Sequence, residues 1–238
     1  KQDEFKRFDL QAMVFSATRQ FNLAIEDNAL ITSPTIVPSY SAFKVFLDGE
    51  GLLTSNKLAT TFGGILNEKT SAGFEVFLDE RKFIGNDPKS GRMQGFALTT
   101  NRFVDKYDLT GQIKYGYDHY NANIDSENYG QHNFELSGSR VMYLSILQLF
   151  GVKPLWRDGW RVAANLSHRR KNHDSGTEIF ALRKDRINSL QLSASRAITD
   201  CWTSNFSYRY NKSKSTVDLF NIKNKQISMD FNYVCLNN

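Results

Sequence analysis

The 238-residue sequence predicts an all-β fold, an antiparallel up-and-down transmembrane β-barrel of about 12 strands within a range of roughly 10–14. Three observations carry this. Apolar and polar side chains alternate with period two in segment after segment. Each segment is close to the ~9–11 residues of a tilted membrane-crossing strand. The connections divide into short turns and long polar loops, the layout of outer-membrane barrels. The segments are read together as one barrel domain over residues 1–238.

Taken in order, "FDLQAMV" sets Phe8, Leu10, Ala12 and Val14 against Asp9 and Gln11. "AFKVFLD" sets Phe43, Val45 and Leu47 against Lys44 and Asp48, and "GFEVFLDE" sets Phe74, Val76 and Leu78 against Glu75 and Asp79. The second half is stronger. "YDLTGQIKYGYDHY" opposes Tyr107, Leu109, Ile113, Tyr115 and Tyr117 to Asp108, Thr110, Gln112, Lys114 and Asp118. "WRVAANLSHR" opposes Trp160, Val162, Ala164 and Leu166 to Arg161, Asn165, Ser167 and Arg169. Near the end, Trp202, Phe206, Tyr208 and Tyr210 alternate with Thr203, Asn205, Ser207 and Arg209. Their partner segment sets Ile227, Met229, Phe231 and Tyr233 against Ser228, Asp230 and Asn232. Weaker strands are read at 57–66, 93–100, 133–141 and 187–195, and a short helix at 141–150. "AITDC" and "NEKTS" are read as short turns; "ERKFIGNDPKSGR", "NANIDSENYGQ", "HRRKNHDSGTE" and "NKSKSTVDLFNIKNK" as long loops.

Composition removes other classes. The longest apolar run, "VMYLSILQLFGV", falls short of the ~18–20 residues of a spanning helix, and mean hydropathy is −0.46. The net charge of +5 comes from 30 Lys and Arg interleaved with 25 Asp and Glu, without a nucleic-acid-reading motif, so nucleic acid is not an expected partner. No leader pattern opens "KQDEFKRFDL", which leaves a cytoplasmic chain or a processed one. Alternation also suits a soluble sheet with one wet face. Uniform strand lengths, and Tyr and Trp near strand ends, favour the barrel.

The closing stretch "RINSLQLSASRAITDCWTSNFSYRYNKSKSTVDLFNIKNKQISMDFNYV" resembles the last strands of bacterial outer-membrane barrels. It is similar in particular to the C-terminal barrels that follow tetratricopeptide repeats in surface lipoprotein assembly modifiers and related export proteins. Such barrels finish on an aromatic residue, and Tyr233 could serve here. The resemblance implies a bacterial outer-membrane location, a shell of outer-membrane lipid and a periplasmic or surface protein as partner.

Function is read from the polar faces. Lys114, Arg161, Arg169 and Arg209, with Asp108, Glu135 and Asp230, are expected to line a pore, as is Lys44 with Glu75, because an isolated Arg on the lipid face costs about 2–4 kcal/mol. The expected function is a channel or export pore passing a polar solute or an exported chain, without a cofactor or metal. Lumen charges that merely pair and fill the interior are the bland alternative, as is a barrel that anchors an assembly. An enzymatic alternative rests on "HDSG", His173 to Gly176, which resembles the His-x-Ser element of outer-membrane phospholipase, with His173 and Ser175 as catalytic pair. It lacks the intervening Asn and falls in a segment read as a loop tip. His119, His132 and His168 have no ligand spacing, and "FGGI" is read as a bulge or close backbone approach. Cys201 and Cys235 fall on opposite parities and are expected as free thiols.

Overall fold

The computed structural model describes residues 10–24, 31–47, 50–142, 159–174, 183–198 and 202–233. Its strands are β1 (Leu10–Thr18), β2 (Phe21–Asn22), β3 (Thr32–Leu47), β4 (Glu50–Asn67), β5 (Thr70–Phe83), β6 (Gly91–Val104), β7 (Leu109–Ala122), β8 (Tyr129–Met142), β9 (Trp160–His173), β10 (Lys184–Ala197), β11 (Trp202–Ser215) and β12 (Ile222–Tyr233). They form one 12-stranded sheet in the order β1-β3-β4-β5-β6-β7-β8-β9-β10-β11-β12, with β2 paired to β3. Every pairing is antiparallel, so the chain winds up and down between neighbours. Among the described residues β1 and β12 do not pair, and the sheet is open.

β2 continues the course of β1 past a two-residue break, and proline explains the break. Thr18 stands opposite Ser39 and Phe21 opposite Ile36, which puts the gap beside Val37 and Pro38. Arg19 N–H donates to the Pro38 carbonyl at 3.2 Å, but Pro38 has no N–H to return the bond. The ladder therefore lapses there. β3 begins at Thr32, ten residues before the stretch "AFKVFLD" read as strand, and contains both Pro34 and Pro38.

Register assigns each residue to a face. On one face lie Leu58 and Phe62 of β4, Phe74, Val76 and Leu78 of β5, Phe96 and Leu98 of β6, Ile113, Tyr115 and Tyr117 of β7, and Phe134 and Leu136 of β8. The same face continues with Val162 and Leu166 of β9, Leu190 and Leu192 of β10, Phe206 and Tyr208 of β11, and Ile227, Met229 and Phe231 of β12. Most of these side chains stand open, Leu166 at 51% and Phe206 at 47% exposure, and the rest are half-buried. The opposite face holds the most enclosed residues, Asp79 at 3%, Asp118 at 5% and Ala97. In a sheet of one layer only curvature can enclose a face, so the polar face is concave and the apolar face convex. This is the inverse of a soluble sheet, and it is what hydrocarbon outside and water inside require.

The apolar band is shorter than the strands. In β7 it runs from Leu109 to Tyr117, whereas the strand continues to Ala122. On the same convex face, beyond the band, lie Glu80 and Lys82, Arg92 and Gln94, and His168 and Arg170. The strand tops thus rise past the band toward the connections 84–90, 123–128, 174–183 and 216–221, the upper end. The opposite, lower end carries 68–69, 105–108 and 198–201, together with the longer 143–159. Segments read as long loops are therefore about half strand, the flanking strands running into both ends of each except 168–178, of which 168–173 are strand. Trp160 and Trp202 begin β9 and β11 at the lower end, as a girdle requires.

Two readings are corrected. β1 and β3 have the reverse parity: Phe43 faces Ser55 on the concave side, while Lys44 lies convex, opposite Met13, its Nζ 4.9 Å from the Phe46 ring centroid. Asp108 is in the turn between β6 and β7, at φ 48, rather than on a strand. At "FGGI", Gly64 faces the irregular start of β3, where a Cβ would lie 3.2 Å from the Thr32 carbonyl and 3.3 Å from Pro34 Cα, a close backbone approach. Cys201, Cys235, Ser175 and the helix read beyond Met142 lie outside the described residues.

Candidate functional site

The concave face carries a series of short polar networks. Across mid-sheet, Gln112 Nε2 donates to Asn101 Oδ1 at 2.8 Å and Asn101 to Ser71 Oγ at 3.4 Å. Further along, Asn165 donates to Glu135, and Arg209 to Gln191 at 3.1 Å. Ser207 and Ser228 share a 2.7 Å hydroxyl bond. Lys57 Nζ reaches Glu75 Oε1 at 2.9 Å across β4 and β5. Asn101, Gln112, Ser137, Asn165 and Gln191 line a cavity of about 350 Å³, together with Ala163 and Ala164.

Toward the upper end the network becomes charged and aromatic. Arg81 Nε pairs with Asp79 Oδ2 at 2.7 Å, and Ser55 Oγ donates to Asp79 Oδ1 at 2.5 Å. Asn133 Nδ2 donates to Asp118 Oδ2 at 2.8 Å and accepts from Arg169 Nε at 2.9 Å. Tyr120 and Tyr129 stack at 5.3 Å, with Lys171 Nζ 3.5 Å from the Tyr129 ring centroid. Arg183 pairs with Asp185 at 2.8 Å, and the His173 ring packs against Tyr129 at 5.8 Å. Lys171 lies beyond the apolar band, and burial, followed by the neighbouring Arg183, pulls its pKa down to about 8. Burial likewise lowers His173.

The residues read from the sequence fall into this frame as follows. Lys114, Glu135, Arg161, Arg169, Arg209 and Asp230 all occupy concave positions, with Lys114 directly opposite Glu135 in register. Asp108 is apart, in its turn. His173 is the last residue of β9 rather than a loop tip, 7% exposed, on the concave face. A phospholipase-type His must face lipid, and this one faces the polar network. The cluster of Arg81, Tyr120, Tyr129, Lys171 and Asp185 escaped the sequence reading: Arg81, Tyr129 and Lys171 sit in strand tops taken for loop, Asp185 lies just before the weak strand read at 187–195, and Tyr120, though the last residue of a strand read correctly, was given no role. The available signal was parity: continuing the alternation from Asp79, Asp118 and Arg169 reaches Arg81, Tyr120 and Lys171.

No family model matches the chain, and no curated protein matches it. Among solved structures the chain is similar to the siderophore receptor PirA from Pseudomonas aeruginosa, at 16% identity and a TM-score of 0.51, over 93% of this chain and 38% of the receptor. It is also similar to OprD from Pseudomonas aeruginosa, at 12% identity and a TM-score of 0.48, over 97% of this chain and 67% of that one. The chain thus spans well under half the length of the receptor. The fold is that of the outer-membrane β-barrels.

Proposed function

We propose that the chain is a bacterial outer-membrane barrel protein whose concave face lines a passage for a polar solute or an exported chain. The observation that carries this is the inverted sheet: hydrogen-bonded Asn, Gln, Ser and Arg on the enclosed side, and bare Leu, Phe, Ile and Tyr on the open side. Outer-membrane lipid covers the convex face. The export form of the proposal follows the closing strands' resemblance to surface lipoprotein assembly modifiers, and it adds a periplasmic or surface partner. Lys114, Arg161, Arg169 and Arg209 give the passage a basic lining partly offset by Glu135 and Asp230, hence a mild anion preference.

The test has two stages. The protein should fractionate with outer membranes and run faster on unboiled gels; a monomer stable without detergent refutes the architecture. In planar bilayers, Arg161→Glu with Arg169→Glu should move the reversal potential toward cations without unfolding the barrel, because lumen positions tolerate charge. Absence of conductance, or an unchanged reversal potential, would refute the passage.

A further inference from the structure

Above the apolar band, the convex face of β9–β12 is basic without exception of sign. Arg170, Arg186 and Lys214 stand directly opposite one another on three neighbouring strands. Lys212 faces Lys223 in the adjoining row, and Lys184 and Lys225 extend the patch. Among the described residues, this face of the four strands carries no Asp or Glu, since Asp185 and Asp230 point to the other side. None of the seven cations enters an ion pair among the described residues. Like charges directly opposite on antiparallel strands are destabilising. Such a row is tolerable where an external anion lies across it.

Position says which anion. Leu166 and Leu190, paired in register, are followed upward by His168 and Asn188 and then by Arg170 and Arg186. The cations therefore begin where the apolar surface stops, at the height of a lipid headgroup. Three neighbouring strands span about 10 Å, at ~4.8 Å per interstrand spacing, wider than one phosphate. Guanidinium groups suit phosphate oxygens bidentately. We propose that this face binds a phosphorylated lipid with more than one anionic group, its phosphates on Arg170, Arg186 and Lys214 and its acyl chains along Leu166, Leu190 and Phe206. The proposal rests on the convex face meeting lipid, the reading given under Proposed function.

The experiment uses the full chain in neutral detergent, with bisphosphorylated lipid A as probe and its dephosphorylated form, of the same acyl chains, as control. The variant Arg170→Gln/Arg186→Gln/Lys214→Gln should bind the probe roughly a hundredfold more weakly at low salt, at about fivefold per charge. Arg92→Gln, on the convex face of β6, should bind as the parent does. Affinity should fall as salt shortens the Debye length from about 10 Å at 0.1 M to 3 Å at 1 M. Lys212→Gln/Lys223→Gln, expected about 25-fold weaker, serves if the triple variant fails to fold. Binding unchanged in a folded variant, or equal binding of the dephosphorylated lipid, overturns the site while leaving the barrel reading intact. Full displacement by an equal concentration of inorganic phosphate overturns the lipid assignment in favour of free phosphate. A chain that stays monomeric without detergent overturns the lipid-facing reading and this site with it.

Discussion

Phe206→Arg and Ser207→Arg place the same cation at adjacent residues on opposite faces of β11. Phe206 is central in the apolar row from Trp202 to Tyr210, between Ala194 and Met229 in register. Arg at mid-depth on a lipid face costs about 2–4 kcal/mol. Phe206 exposes 47% of its surface, about 90 Å² of an aromatic side chain of roughly 200 Å², worth about 2 kcal/mol in hydrocarbon at ~25 cal/mol per Å². The expected destabilisation is therefore about 4–6 kcal/mol. Ser207 instead exchanges a hydroxyl bond to Ser228, worth about 1 kcal/mol, for a side chain in a polar surround. Urea unfolding in lipid vesicles, read by gel mobility and tryptophan fluorescence, should separate the two variants by about 3–5 kcal/mol. Equal costs, or a neutral Phe206→Arg, would refute the assignment of faces.

Two further outcomes follow from the concave cluster. Asp79→Asn removes the partner of Arg81 from a site where the carboxylate side chain is only 5% exposed; it should cost about 3 kcal/mol in the same assay, against about 1 kcal/mol for Ser55→Ala, and a loss below 1 kcal/mol for Asp79→Asn would mean that the pair contributes nothing. Lys171, with its pKa near 8, is charged below that pH and neutral above it, so anion preference should fall between pH 7 and pH 9 and Lys171→Met should flatten the change; a parent reversal potential constant over that range would contradict the assignment.

Alternation revealed the faces where each strand is greasy on one side only. In "WRVAANLSHR" and in the rows through Phe206 and Met229, parity alone separates Arg161 and Arg169 from Val162 and Leu166, and the structure keeps that division. It failed in "AMVF" and "AFKVF", where Met13, Val14 and Phe15, and Phe43, Val45 and Phe46, are apolar on both parities. Only pairing with β4 settles those strands, because Ser55 fixes the concave side. The strand tops were illegible for the opposite reason. Above the apolar band water meets both faces, so "ERKF" and "HRRKNH" carry polar or charged residues on both parities and read as loop, though the ladder runs through them. The Asp79, Arg81, Tyr120, Tyr129 and Lys171 cluster depends on that continuation. The first half of β3, which contains Pro34 and Pro38, escaped the sequence reading, and the N–H missing from Pro38 interrupts its neighbour.

The open margins of the sheet bear on how such a molecule enters a bilayer. Among the described residues, eleven strands lie along the path from β1 to β12, all antiparallel to their neighbours, so the two margins run in the same direction. Each offers a column of amide and carbonyl groups, and in hydrocarbon every group left bare costs several kcal/mol. A seam formed directly between the margins would be a parallel pair, while antiparallel closure takes an odd number of intervening strands. Either way, zipping the seam and entering the lipid become one event. Because register there must be chosen rather than inherited from a turn, closing the seam is the step that fixes it.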